Sequence, residues 1–379
     1  MIKNRLFYDL VLFDKESYGG ISRMWLEIFS IICKIKKINI DFLKGNPSNI
    51  TYDFLEKKLF FGKNIIEENI RGYKKKVRVF SFYRSIWLYF FLIKKAKKES
   101  ITFHSTDYIN PIFKVKNCKI VTTIHDMVFW DQSNKFKKNL DYYDRKLSII
   151  NSLRVSDTII TVSNTSKDAI LKYFPDKKDK IKVIYHGINE NFLNQNFISN
   201  KRKTFVFIGG RNSYKNFNLL IESFAEFNKS VKDWTIEVIG DNHNTREVEV
   251  ELYKKLNIQD KVVDHGLITD KKLINILKTA GCLVIPSFNE GFNFPLLEGL
   301  ALGVPILSSN ILVSKELGQD FVKYFNPTSK NELIKLMLEL SEIGYDKNNL
   351  INGMKYSQTF NWQTSCNKLM NEYIALESK

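Results

Sequence analysis

No stretch of this 379-residue chain is apolar for long enough to cross a bilayer as a helix, which takes about 20 residues; the longest candidate, SIWLYFFLI at 85–93, stops at Lys94. The apolar run at the N-terminus is broken by Asp9 and has no small-residue cleavage site, so a first strand is expected there and not a signal peptide. Cysteine is scarce. Cys33, Cys118, Cys282 and Cys366 form no CxxC pair, which leaves neither a zinc site nor a disulfide framework and suits a reducing compartment. No two aspartates stand one residue apart, so the metal-binding Asp-x-Asp pair is missing, and neither a P-loop nor a G-x-G-x-x-G fingerprint occurs. Internal repeats and low-complexity linkers are absent as well.

Acidic residues are short in one half only. Residues 1–200 hold 36 Lys and Arg against 20 Asp and Glu, whereas residues 201–379 hold 22 against 21. A compositional bias would not spare the second half, so the first half is expected to face something anionic, a phosphate-rich membrane surface or a nucleic acid. Residues 71–98 carry ten basic residues and no acid, interleaved with Tyr73, Phe80, Phe82, Tyr83, Trp87, Tyr89, Phe90 and Phe91. Such a stretch suits a membrane interface. It also suits a crossover helix over 85–98 with a buried apolar face, and the expectation combines the two, with a structural helix and membrane-facing lysines. Nothing in the chain resembles a nucleic-acid-binding motif.

Length and the 44% hydrophobic content predict two globular domains. Strands alternate with helical segments, the pattern of parallel α/β sheets. In the first half 5–13, 101–104, 119–125, 157–162 and 181–185 read as strands. A second series restarts at 204–210 (TFVFIGG) and continues at 234–240, 261–266, 281–287, 305–309 and 321–325. These near-continuous apolar runs are what strands covered on both faces look like. The expected fold is α/β: two doubly wound, Rossmann-like domains, residues 1–195 and 196–359, facing each other across a cleft. The polar stretch 189–203 serves as hinge, and an amphipathic helix over 360–379 crosses back to the first domain. Ligands of such sheets sit at the carboxyl ends of the strands.

The chemistry-bearing strings lie at those ends. EGFNFPLLE, residues 290–298, follows an apolar strand and enters a helix with Pro295 in its first turn, where a missing N–H costs nothing. A glycine loop opening a helix offers backbone N–H groups to an anion. Glu298 leans back toward the helix start, where a carboxylate accepts from two vicinal hydroxyls, while Glu290 reaches a different hydroxyl. GGRNSYKN, 209–216, places Arg211 and Lys215 directly after a strand, a fork and a point charge suited to a diphosphate. VTTIHD, 121–126, ends a strand on His125 and Asp126, and YGGISR, 18–23, sets Gly19 and Gly20 between a strand and a helix.

The spacing and text of 290–298 resemble the E-x7-E motif of retaining GT-B glycosyltransferases, specifically glycosyltransferase family 4 (glycosyl transferases group 1). The YKN variant is similar to a mannosyltransferase-like subgroup. VSNTSKDAI (162–170) and YHGINENF (185–192) resemble further landmarks of the family, so the likeness spans almost the whole chain and is weakest over 45–100. The resemblance implies that Glu290 contacts the donor sugar and Glu298 the nucleotide ribose. It implies that Gly291, Phe292 and Asn293 cradle sugar and diphosphate with their amides. By the same resemblance Arg211 and Lys215 are expected to clamp the diphosphate, with Gly19 and Gly20 close to it, and His125 to meet the donor sugar and the transition state, with Asp126 orienting the loop or the histidine; His186 and Gly187 are expected to be structural.

The implied activity is a retaining, metal-independent hexosyl transfer without a cofactor. The donor is a nucleotide sugar, GDP-mannose or a UDP-sugar, and the acceptor a lipid-linked or oligosaccharide molecule of cell-surface polysaccharide or lipopolysaccharide synthesis. The expected location is cytoplasmic, peripheral on the inner face of the membrane, with an anionic lipid surface and no nucleic acid as partner. Two other readings stay open at this point: a nucleotide-sugar epimerase on the same fold, and a basic nucleic-acid-binding or scaffold protein.

Overall fold

The computed structural model describes residues 2–15, 19–35, 38–44, 64–67, 80–131, 140–211, 213–240 and 246–378. The chain forms two compact units, Met1–Gly187 together with Trp362–Lys379, and Ile188–Asn361.

In the first unit, β1 (Arg5–Asp9) leads to helix α1 (Gly20–Ile32). Then come β2 (Ile40–Lys44), β3 (Asn64–Glu67), α2 (Phe80–Ala96), β4 (Ile101–Ser105), β5 (Cys118–Ile124), α3 (Leu140–Val155), β6 (Thr158–Thr161) and β7 (Ile181–Val183). The described strands make one parallel sheet of order β3-β2-β1-β4-β5-β6-β7, with Tyr8 opposite His104 and His104 opposite Val121. β1, β2, β4, β5 and β6 are almost wholly buried, as strands covered on both faces are. The order reverses between β1 and β4, so the loops after these strands flank the crevice where ligands of doubly wound sheets sit. β2 and β3 were not legible as strands: β2 carries Asp41 and Lys44, yet both are buried, and Asp41 is paired with Arg5 at 3.2 Å.

Helix α2 starts at Phe80, five residues ahead of the expected 85, and its Leu88, Leu92 and Ala96 enter the core against Phe7, Ile101 and Phe103. The crossover part of the dual expectation for 85–98 is thus a structural fact. Residues 71–79, including Tyr73, lie outside the described residues.

The second unit contains β8 (Thr204–Ile208), α4 (Phe217–Ser230), β9 (Thr235–Ile239), α5 (Arg246–Lys255), β10 (Val262–Gly266), β11 (Cys282–Ile285), α6 (Phe294–Ala301), β12 (Ile306–Ser309) and β13 (Lys323–Phe325). Its strands run parallel in the order β10-β9-β8-β11-β12-β13, reversing between β8 and β11. Phe205, Phe207, Leu220, Phe224, Phe227 and Trp234 form one core cluster between sheet and helix α4. Helix α6 lies so close to the sheet that a Cβ on Gly299 would meet Leu283 at 2.8 Å and Ile306 at 3.0 Å. Glycine at this position sets the depth at which α6 sits.

The last helix, α7 (Trp362–Glu377), belongs to the first unit, where it packs on α1. Its Tyr373 hydroxyl lies 2.7 Å from the Tyr8 hydroxyl and 2.6 Å from His104 Nδ1, while His104 Nε2 reaches Thr123 at 2.9 Å. The Glu377 carboxylate accepts from the N–H groups of Lys3 and Asn4. The units divide after Gly187 and Asn361, eight residues before the first boundary read from the sequence. Ile188 donates its N–H to the Phe360 carbonyl at 2.9 Å and Phe192 is fully buried, so a polar stretch begins inside a unit that its first residues already join.

Candidate active site

In the second unit the loops after β8 and β11 meet at the reversal of strand order. Lys215, at the end of a short turn (Ser213–Lys215), places Nζ 2.7 Å from Glu290 Oε1, and the Ser287 hydroxyl donates to the same oxygen at 2.7 Å. Backbone carbonyls of neighbouring loops hold this arrangement in place. The Phe288 N–H donates to the Tyr214 carbonyl at 2.8 Å, and the Asn216 amide donates to the Pro286 carbonyl at 3.0 Å and to Pro327 at 2.8 Å. Asn216 stands at φ +55° ahead of α4, a left-handed position that asparagine tolerates. The lysine and glutamate, 75 residues apart in the chain, therefore form one charged pair at a strand-end crevice.

Around the 290–298 loop the side chains turn inward. Phe292 is buried against Phe294 and Phe360 at ring distances of 5.2 and 6.5 Å. Asn293, also left-handed at φ +57°, donates to the Ser314 hydroxyl at 3.0 Å, and its Oδ1 is buried without a hydrogen-bond partner. With the side chains of Phe292 and Asn293 committed to packing, what the loop can offer an anion is backbone N–H at the start of α6. Pro295 lies in the first turn of α6, and Glu298, one turn in, is buried at 4% exposure.

Arg211 is drawn elsewhere. Its guanidinium donates to the carbonyls of Gly209 at 3.0 Å and Gly240 at 2.6 Å, contacts Asp264 at 3.1 Å and Glu249 at 3.2 Å, and lies over the Phe217 ring. It thereby ties the carboxyl ends of β8, β9 and β10 together. The approach is close: Gly240, at φ +97°, would set a Cβ 3.1 Å from the Gly209 carbonyl oxygen. Of the basic pair read from the sequence, Lys215 is the one placed beside Glu290.

In the first unit His125 follows β5 and is 6% exposed. Burial pushes its pKa down to about 4; Asp107 pulls upward and Arg145 pushes further down. At neutral pH the ring is therefore an uncharged imidazole that donates from one nitrogen and accepts at the other. Its backbone carbonyl accepts from Ser166, and its ring stands 6.2 Å from Tyr108 and 6.0 Å from His186. His186 packs in turn, tilted, against Trp362 at 5.5 Å, with burial holding its pKa well below the usual value. Asp126 accepts the Val128 N–H at 3.0 Å, so it shapes the turn that follows. Gly19 and Gly20 open α1; the Ser22 hydroxyl accepts the Gly19 N–H at 2.8 Å, and Gly20 is exposed at the first turn. Tyr18 lies outside the described residues.

The sequence model of the family described as "Glycosyl transferases group 1" matches residues 188–355, and that of "Glycosyltransferase Family 4" matches residues 59–192. The chain belongs to glycosyltransferase family 4, group 1. The O-antigen chain mannosyltransferase RfbU of Salmonella typhimurium is 27% identical over 70% of this chain and 71% of its own length. An Escherichia coli enzyme named UDP-Gal:alpha-D-GlcNAc-diphosphoundecaprenol alpha-1,3-galactosyltransferase is 24% identical over 86% of this chain and 82% of its own. Among solved structures, sucrose-phosphate synthase of Thermosynechococcus elongatus superposes with a TM-score of 0.74 over 99% of this chain and 100% of that one, at 16% identity. The two parallel sheets and this likeness make the fold GT-B.

Several residues of this glycosyltransferase's candidate site left no mark in the sequence. Ser287 reads as an ordinary strand end, yet it shares an oxygen of Glu290 with Lys215. Asp264 and Glu249, which engage Arg211, come from a strand and a helix with no motif of their own. Asp107, Tyr108 and Arg145, which surround His125, are likewise silent, although Asp107 stands three residues after His104 at a strand end, the position that drew attention to His125.

Proposed function

We propose that this glycosyltransferase moves a hexose, with retention of anomeric configuration and without a metal ion, from a nucleotide diphosphate sugar to a lipid-linked or oligosaccharide acceptor of lipopolysaccharide or polysaccharide synthesis. The observation that carries the donor half is the Lys215–Glu290 pair at 2.7 Å in the crevice between β8 and β11. A cation already paired with a carboxylate beside the backbone amides that open a helix is a site an anionic donor enters by exchange. The diphosphate takes Lys215 and the amides of Gly291, Phe292 and Asn293, and Glu290, released, turns to a sugar hydroxyl. Glu298 holds the ribose. Arg211 stands behind Lys215, shaping the strand ends, and reaches the diphosphate only by exchanging a carboxylate for a phosphate.

In the transfer the bond between the sugar's anomeric carbon and the phosphate oxygen breaks, and the acceptor oxygen bonds to the same face of that carbon. The acceptor proton passes to the leaving phosphate oxygen. Lys215 and the loop amides stabilise the charge left on the diphosphate. His125, neutral at working pH, hydrogen-bonds a sugar hydroxyl without adding positive charge.

The names of the relatives support the acceptor class: one is an O-antigen mannosyltransferase, and the other acts on a sugar linked to diphosphoundecaprenol. RfbU being a mannosyltransferase favours GDP-mannose, the galactosyltransferase a UDP-sugar. The basic first half fits a peripheral place on the anionic inner face of the cytoplasmic membrane.

Thermal shift with GDP, UDP, ADP and their sugars tests the donor site, since a ligand of the folded state raises the unfolding temperature. One nucleotide is expected to stabilise the protein, and Lys215→Met to abolish that shift. No shift with any nucleotide, or an undiminished one in the variant, overturns the assignment. Proton NMR of the donor incubated alone separates transfer from epimerisation, which would need no acceptor.

A further inference from the structure

Helix α3 has two apolar sides. One is in the core, where Tyr142, Ile149 and Leu153 are buried. The other carries Leu140, Tyr143, Leu147 and Ile150, spaced three and four residues apart and exposed by 56, 52, 64 and 41%. Exposed apolar residues are ordinary one at a time; a stripe running through three turns marks an interaction surface.

The surface extends beyond one helix. On α2, Phe82, Tyr83 and Phe90 are exposed, and Phe113, between β4 and β5, is exposed beside them. The two helices lie side by side, with the Ser81 hydroxyl donating to Asp144 at 2.5 Å near their starts. Farther along, Arg154 donates to the Ile112 carbonyl and covers the Phe113 ring, which stands 5.6 Å from that of Tyr89. Tyr89 meets Phe90 at 5.4 Å, so ring contacts continue from the end of α3 across to α2.

The border is positive. Lys94, Lys97 and Lys98 at the end of α2, Lys116 and Arg154 are exposed; of the nearby acids, Asp144 accepts from Ser81, Asp157 pairs with Lys114 at 2.8 Å and Glu99 with Arg5 at 2.9 Å. A second copy of the chain is a poor occupant, because pairing two such faces would crowd their lysines together.

We infer that this face, formed by α3, α2 and Phe113, lies on an anionic phospholipid surface. Its apolar side chains enter the boundary between headgroups and acyl chains, and the bordering lysines meet lipid phosphates. Helix α3 also turns Arg145 inward over the Tyr108 ring, which stands 6.2 Å from that of His125. The helix that meets lipid thus borders the histidine, as suits an acceptor that arrives on a lipid. The inference rests on the membrane partner proposed above and names the surface responsible.

Flotation with vesicles tests it, using phosphatidylcholine mixed with phosphatidylglycerol against phosphatidylcholine alone. The full chain is expected to float with the mixed vesicles and hardly with the neutral ones. The double variant Leu147→Asp, Phe90→Ser is expected to lose at least about tenfold in partitioning, given the apolar area withdrawn from lipid. Both side chains are exposed, so its unfolding temperature and its nucleotide-induced shift should match those of the unaltered chain. Undiminished flotation of the variant overturns the inference, as does equal flotation with neutral vesicles. So does sedimentation showing that the unaltered chain dimerises and the variant does not while both float alike. A chain that floats as expected but binds no nucleotide would sink the transfer reading and leave this surface standing.

Discussion

Glu290 and Glu298 have different surroundings and should fail differently. Glu290 is tied to Lys215 and Ser287 at the crevice, whereas Glu298 is buried one turn inside α6. Glu298→Ala is expected to weaken donor binding by about tenfold or more, the loss of hydrogen bonds to a charged acceptor, with little change in turnover. His125→Ala is expected to lower turnover by about a hundredfold or more, the range of a positioned polar group in the transition state, with donor binding nearly intact. Donor titration beside steady-state kinetics separates the two, and unchanged values in both variants would remove the site. His125 also makes a pH prediction. Its folded pKa of about 4 lies below the unfolded value near 6.5, so the unfolded chain takes up a proton that the folded one resists. Stability is complete above about pH 6.5 and declines as the pH falls toward 4, by on the order of 3 kcal/mol for this residue. His104, pushed down to about 3, adds to the same slope. Thermal unfolding followed across that window should show the fall, and a flat profile would contradict the burial of both rings.

Between elements, the junction of β1 with α2 rests on a pair hidden from solvent. Arg84 meets Asp9 at 2.6 Å with both side chains fully buried, and burial raises the Asp9 pKa against the pull of the guanidinium. Removing one partner leaves the other charged in a dry site. Arg84→Met alone is therefore expected to destabilise by about 3–5 kcal/mol, and adding Asp9→Asn to recover much of it. A double-mutant cycle in denaturant reads this coupling, and additive losses would mean that the two charges act independently. The contact of α6 with its sheet is a question of volume: Gly299→Ala is expected to cost about 1–3 kcal/mol, because the new methyl overlaps Leu283 and Ile306.

Across the whole molecule, the last helix belongs to the unit that the chain built first. Trp362, Cys366, Leu369 and Tyr373 are buried, and Tyr373 reaches β1 and β4 through Tyr8 and His104. Ending the chain after Asn361 is expected to raise amide exchange in β1, β4 and β5 while β8, β11 and β12 keep their protection. Exchange rising equally in both units would show that the helix stabilises the molecule without preference.

Most of the strands, and the loop on which the proposed donor site rests, were legible without coordinates, for a local reason. Buried parallel strands are continuous apolar runs, and a glycine loop that enters a helix beside two glutamates keeps its text within nine residues. β2 escaped because it carries charged residues that the fold buries, Asp41 among them, paired with Arg5 from a neighbouring strand. The same reason limits the rest. Arg211 was read as a ligand fork because its neighbours in sequence are a strand end and a lysine; Asp264 and Glu249, brought up by β10 and α5, decide where its guanidinium goes. Leu140, Tyr143, Leu147 and Ile150 have a spacing that looks the same whether the stripe enters a core or faces outward. Only packing the other side of α3 against the sheet shows that this stripe is left outside. Contacts between neighbours in sequence are written in the chain's own text, whereas contacts between distant residues come into being when the sheets close.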